Sequence, residues 1–202
     1  MSTKLPRWKT LLLSAVLALP LAIGATAVHA EWKLDSDRSQ LSYTTTKIFP
    51  NADKSAAENN RFTKLEGNIG DDGSAVVRVV LDSVNTNVAI RDERMRKIVF
   101  NTEEHPAATV SASVPGTVLT EQGLHQIDLT MQLDLHGMSK SLTVPVNVSN
   151  EGNSLLVTSM SPVLVDAADF GLGEGILELT KLAGLMYIPT AVPVSFSLVF
   201  LK

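Results

Sequence analysis

The amino-acid sequence predicts an all-β domain of eight antiparallel strands, arranged as a sandwich or a closed barrel. Two observations carry this. From Ile127 to Leu135 every odd position is apolar (Ile127, Leu129, Met131, Leu133, Leu135), while the even positions between them are polar. That is the period of a strand with one dry and one wet face. The alternation resumes at Leu142, Val144, Val146 and Val148 after a turn-like stretch, His136 to Lys140, so the two runs form one long hairpin. Second, strand-like runs recur along the chain, at 39–47, 62–69, 75–82, 107–114, 124–136, 140–148, 155–165 and 192–201. At about 3.3 Å per residue the longer ones make an elongated barrel, roughly 30–40 Å tall. Eight strands enclose an interior that is either filled by side chains or wide enough for one slender ligand.

Taken in order, residues 1–30 read as an export leader. Lys4, Arg7 and Lys9 precede a 13-residue run, Leu11 to Ile23, that is apolar but for Ser14 and Pro20. Val28-His29-Ala30 then offers a cleavage site after Ala30, so the expected location is the periplasm. The remaining chain, 31–202, forms one domain. Without the three basic residues of the leader it has 14 basic against 21 acidic residues, a net charge of −7. An acidic chain is a poor partner for nucleic acid. It has no cysteine, which excludes disulfides, thiol chemistry and thiolate zinc sites.

Trp32, Leu34, Leu41 and Tyr43 mark an opening strand or bent pair of strands, broken at Asp35-Ser36-Asp37. Asn51 to Asn60 is polar and reads as an exposed loop. Gly70-Asp71-Asp72-Gly73 is a turn between two strands. Two segments leave the β pattern and give short helices: the charged stretch Val88 to Phe100, and Glu174 to Met186 with its apolar residues near helical spacing.

Few motifs in the chain carry chemistry. There is no nucleophile elbow and no H-E-x-x-H helix. The chain is therefore expected to carry no catalytic residues and to be no enzyme. The histidines beyond the leader, His105, His125 and His136, lack metal-ligand spacing, so neither a metal nor a cofactor is expected. The polar stretch with most to offer is Arg91 to Lys97. Arg91 or Arg94 at a barrel mouth would meet a headgroup through bidentate hydrogen bonds. Alternatively Asp92 caps the helix, an arginine pairs with a carboxylate, and Met95, Ile98 and Phe100 plug the barrel. The late helix is either buried against the barrel or touches a membrane through Leu182, Leu185 and Met186.

Several segments together resemble the YceI-like polyisoprenoid-binding proteins. They are Trp32-Lys33-Leu34-Asp35, Phe62 to Gly67, SVNTNVAIRDERMRKIVFN at 83–101, LDLHGMSKSLTV at 133–144 and DFGL at 169–172. The chain departs from the family pattern at Arg38, where a histidine is usual, and at Ala167, where an arginine is usual. The resemblance implies an elongated lipocalin-like barrel whose apolar tunnel holds a long lipid of polyisoprenoid, quinone or fatty-acyl type. The tunnel candidates are Leu129, Met131, Leu133, Val144, Val146, Phe196 and Leu198. Arg91, Arg94 and His136 are candidates for the headgroup or mouth. The expected function is a lipid carrier that leaves chemistry to other proteins. The alternative is a structural or interaction protein of the envelope with a filled core. Transient membrane contact and a homodimer through an exposed barrel edge complete the expected partners.

Overall fold

A computed structural model describes residue 1 and residues 31–51 and 54–202; the rest of the segment expected to be a leader, 2–30, lies outside the described residues. The strands, in chain order, are β1 (Trp32–Leu34), β2 (Gln40–Ile48), β3 (Ser55–Phe62), β4 (Leu65–Ile69), β5 (Ser74–Val80) and β6 (Val84–Asn85), then β7 (Ala107–Ser113), β8 (Gly123–Leu135), β9 (Met138–Asn150), β10 (Ser154–Ser159), β11 (Val163–Asp166) and β12 (Ala191–Leu201). Three short helices accompany them: α1 (Ala89–Arg94), running on into a π-helical turn at Met95–Phe100, α2 (Gly116–Thr120) and α3 (Gly173–Leu182).

The strands close into an eight-course antiparallel barrel. Four courses are bent strands made of two segments each: β1 with β2, β3 with β4, β5 with β6, and β10 with β11. Closure is made where β12 pairs with β1 on one side and β10 on the other. Further along, β12 pairs with β2 and β11. The breaks have local causes. Between β1 and β2 the Asp35 carboxylate accepts from the backbone N–H groups of Asp37 and Arg38, each at 3.1 Å, and turns the chain. The run expected at 155–165 divides at Met160–Pro162, where proline interrupts the ladder.

The central hairpin forms as expected, with Leu129 opposite Val144 and Met131 opposite Leu142. Its turn is tighter than anticipated, since pairing resumes at Met138. His136 and Gly137 have φ of 53° and 77°, the left-handed pair that suits a two-residue hairpin.

Two expectations need correction. Residues 51–60 are not simply a loop, because 55–62 form β3, paired with β2 from Leu41–Phe62 to Ile48–Ser55. The strand expected at 62–69 is instead the end of β3 and the whole of β4. The inward side of β3 includes Glu58 and Asn60, so it carries no apolar alternation to be read.

The barrel has two unlike ends. At one, Trp32 (1 % exposed) and Val118 of α2 (1 %) form a plug, and the Asn150 amide donates to Val118 O at 2.9 Å. Both ends of the barrel chain lie here, with the Lys202 ammonium 4.5 Å above the Trp32 ring. At the other end sit α1, the π-helical turn, α3 and the β2–β3 hairpin. Helix α3 packs closely on the π-helical turn at Gly175, where a Cβ would overlap Ile98 O and stand 2.9 Å from Val99 Cα.

Candidate functional site

The barrel is hollow. A cavity of about 270 Å³ lies inside, bordered by residues of nearly every course and by the helices that cap it. Its walls include Ile69, Val77, Val110, Leu129, Leu133, Val157, Phe196 and Phe200, with Met95, Val99, Leu172, Ile176 and Leu179 from the capping end. Leu129, Leu133, Leu135 and Phe196 are only half-buried although they point inward, because they face an unfilled space. An interior packed solid by its own side chains is not what the chain builds.

Five of the seven tunnel candidates border the cavity: Leu129, Met131, Leu133, Phe196 and Leu198. Val144 and Val146 do not. They are 2 % and 0 % exposed and belong to the packed wall. Val144 stands opposite Leu129, and it is the longer leucine that reaches the hollow.

Of the mouth candidates only Arg91 lines the cavity. Arg91 and Met95 lie one turn apart on the inward face, and Arg94 falls outside it. His136 is elsewhere, its ring tilted at 51° against that of His105 with centroids 4.1 Å apart. Burial, and then His105, hold its pKa below the ordinary value, while the Phe170 backbone and Glu104 act the other way. Among the described residues no group of three or more His, Cys, Asp or Glu is placed to hold a metal ion.

The polar end of the cavity was missed from the sequence except for Arg91. It is built on β2 and β3, whose inward residues fall in pairs: Tyr43 opposite Asn60, and Thr45 opposite Glu58. Lys47 and Thr86 complete the lining. This hairpin separates from the barrel for a reason written in the chain. Pairing between β2 and β12 ends at Tyr43–Val194, and the next residue of β12 is Pro193, which has no N–H to offer. Beyond it, Ile48 N donates instead to Tyr187 O at 2.9 Å. The gap left between the hairpin and β12 places Lys47, Glu58 and Arg91 at the surface, with side chains 24 %, 30 % and 18 % exposed.

Each charge there has a partner. Glu58 accepts from Lys47 Nζ at 2.7 Å and from Arg91 Nη1. Arg91 Nη2 donates to Thr86 O at 2.7 Å. Asp92 does not cap its own helix; its Oδ1 accepts from Thr86 N at 2.7 Å and Thr86 Oγ1 at 2.5 Å. Both readings of this stretch therefore meet in one place, since Arg91 pairs with a carboxylate and also faces the lumen. Deeper in, Tyr43 and Asn60 are 7 % and 3 % exposed. Burial, reinforced by Asp92, drives the Tyr43 phenol pKa far up, so it remains a neutral donor. Phe62 lies beyond, 5.5 Å from the Tyr43 ring centroid and 5.7 Å from that of Phe100. The cavity thus grades from paired charges through neutral polar groups and aromatic rings to aliphatic walls.

A family model described as YceI-like domain matches residues 32–200. The chain is similar to the solved structure of a polyisoprenoid binding domain from Saccharophagus degradans implicated in plant cell wall breakdown. Identity is 32 %, coverage is 85 % of this chain and 98 % of that one, and the TM-score is 0.79. BcnA of Burkholderia cenocepacia shares the fold at 19 % identity, with 82 % and 98 % coverage and a TM-score of 0.61. A Campylobacter jejuni YceI protein does so at 12 % identity, with 71 % and 84 % coverage and a TM-score of 0.50. No curated protein sequence matches the chain significantly.

Proposed function

Because this chain belongs to the YceI-like domain family, we propose that it is a binding protein, not a catalyst, that carries one long-chain lipid in its lumen. The observation that carries this reading is the unfilled apolar cavity, walled by Leu129, Met131, Leu133, Phe196 and Leu198. The polyisoprenoid-binding character of the Saccharophagus degradans relative supports the same ligand class.

Physics favours a carrier. Each methylene taken from water contributes about 0.8 kcal/mol, so a five-carbon isoprene unit is worth roughly 3–4 kcal/mol. A few units outweigh the ordering cost of association. A bilayer offers the same tail nearly the same environment, so exchange between membrane and barrel is close to neutral and reversible. Phe49, Met186 and Tyr187 support contact with that bilayer. They are exposed at the mouth end, joined through Ile48 O, which accepts from Met186 N at 2.8 Å. Leu182 is exposed as well, whereas Leu185 packs on the core. No helix among the described residues is long and apolar enough to cross a membrane. The leader pattern of residues 1–30 supports a periplasmic site of action.

Mass spectrometry of organic extracts from gently purified protein tests the proposal. The expected result is a long-chain lipid in near-stoichiometric amount. Extracts free of lipid, together with no uptake from lipid vesicles, would overturn it.

A further inference from the structure

The cavity ends in polar groups that its own chain leaves unsatisfied. Tyr43 Oη, Asn60 Oδ1 and Arg91 Nε are buried and have no hydrogen-bond partner among the described residues. All three residues border the cavity. Buried polar atoms without partners are rare and costly in a folded chain. Tyr43 and Asn60 face each other across β2 and β3, on the same inward side. The Asn60 amide nitrogen is already engaged, with Thr45 Oγ1 at 3.1 Å and Glu58 O at 3.4 Å, which directs Oδ1 away from these partners. The unmet set is therefore two donors, the Tyr43 hydroxyl and the Arg91 Nε–H, and one acceptor, Asn60 Oδ1.

We propose that this end of the cavity selects a lipid with an uncharged, oxygen-bearing headgroup, an alcohol in its simplest form, over the phosphate of the same tail. This rests on the lipid-binding reading above. A hydroxyl oxygen accepts from Tyr43 or Arg91 while its proton goes to Asn60, so one group answers both kinds of need. A fully ionised phosphate only accepts, and leaves Asn60 Oδ1 orphaned. The charges point the same way. Lys47 and Arg91 both pair with Glu58, and Asp92, bonded to Thr86, supplies a second carboxylate beside them, so the cluster has no net positive charge for an anion. An anion at Tyr43 would lose its water and feel Asp92, which acts on the phenol more strongly than the opposing Arg91.

The test uses the leader-cleaved protein freed of lipid, with bound Nile red displaced by three compounds of equal chain length: geranylgeraniol, geranylgeranyl phosphate and the hydrocarbon phytane. The alcohol is expected to bind at least about tenfold more tightly than the phosphate, the value of one buried hydrogen bond or more. In the Tyr43→Phe and Asn60→Leu variants the preference for alcohol over hydrocarbon should shrink by a similar factor. Equal or tighter binding of the phosphate overturns the headgroup proposal alone and leaves lipid binding standing. Failure of all three compounds, phytane included, removes the lipid-binding reading itself. The comparison in the unaltered protein stands even where a variant does not fold.

Discussion

His136 shows how a single residue can be readable in kind and misplaced in role. Its position in a turn beside Gly137 was legible, but a left-handed histidine needs support, and the sequence does not show where that comes from. The structure supplies it from afar, through the tilted ring contact with His105. Because the folded protein depresses the His136 pKa, the unfolded chain takes up the proton first as pH falls through the ordinary value of 6.5. The contribution is complete above that value and is lost below it. Melting temperature should therefore fall more steeply between about pH 7 and pH 5.5 in the native protein than in His136→Asn, since asparagine tolerates the same backbone without titrating. Parallel melting curves would remove this account. Arg91 makes the complementary point: its charge drew notice, but its partner Glu58 lies 33 residues away in a segment read as loop.

At the scale of elements, the hairpin of β8 and β9 was plain because its two faces differ in polarity at every step. β3 was invisible for the opposite reason, since Glu58 and Asn60 face inward as part of the cavity's polar end. α2 gave too short a signal to notice, though Val118 is among the most buried residues. The capping end depends on α3 lying close against the π-helical turn, and Gly175 is the point of contact. Alanine there gains about 1 kcal/mol in helix propensity. The added methyl meets backbone at Ile98 and Val99, which cannot rotate aside, so overpacking of roughly 1–3 kcal/mol should win. Gly175→Ala is expected to lower the urea midpoint and to speed the release of bound lipid. An unchanged midpoint would mean that the two elements slide apart without cost.

For the whole molecule, eight courses could be anticipated from the strand count, while closure followed from the family resemblance and emptiness could not be read from the strands. Alternating Leu, Met and Val read alike whether they interlock across a core or stop short of one another. What separates the cases is the summed side-chain volume around the ring, a quantity no single strand reveals. Met131→Trp measures it directly. In a hollow barrel the indole enters free space, so stability should change by less than about 1 kcal/mol while lipid uptake falls at least tenfold; a filled interior would lose about 1–3 kcal/mol. Denaturation midpoints and Nile red displacement read the two effects separately.

The pairing of Lys33 with Leu201 brings the domain's beginning and its end to the plugged base, away from the gap beside Pro193. Whatever is fused to either terminus therefore hangs from the floor of the vessel and leaves its doorway clear. Protein fixed to a surface through a tag after Lys202 should load and unload as freely as protein in solution, so that its traffic with vesicles can be followed on a sensor chip.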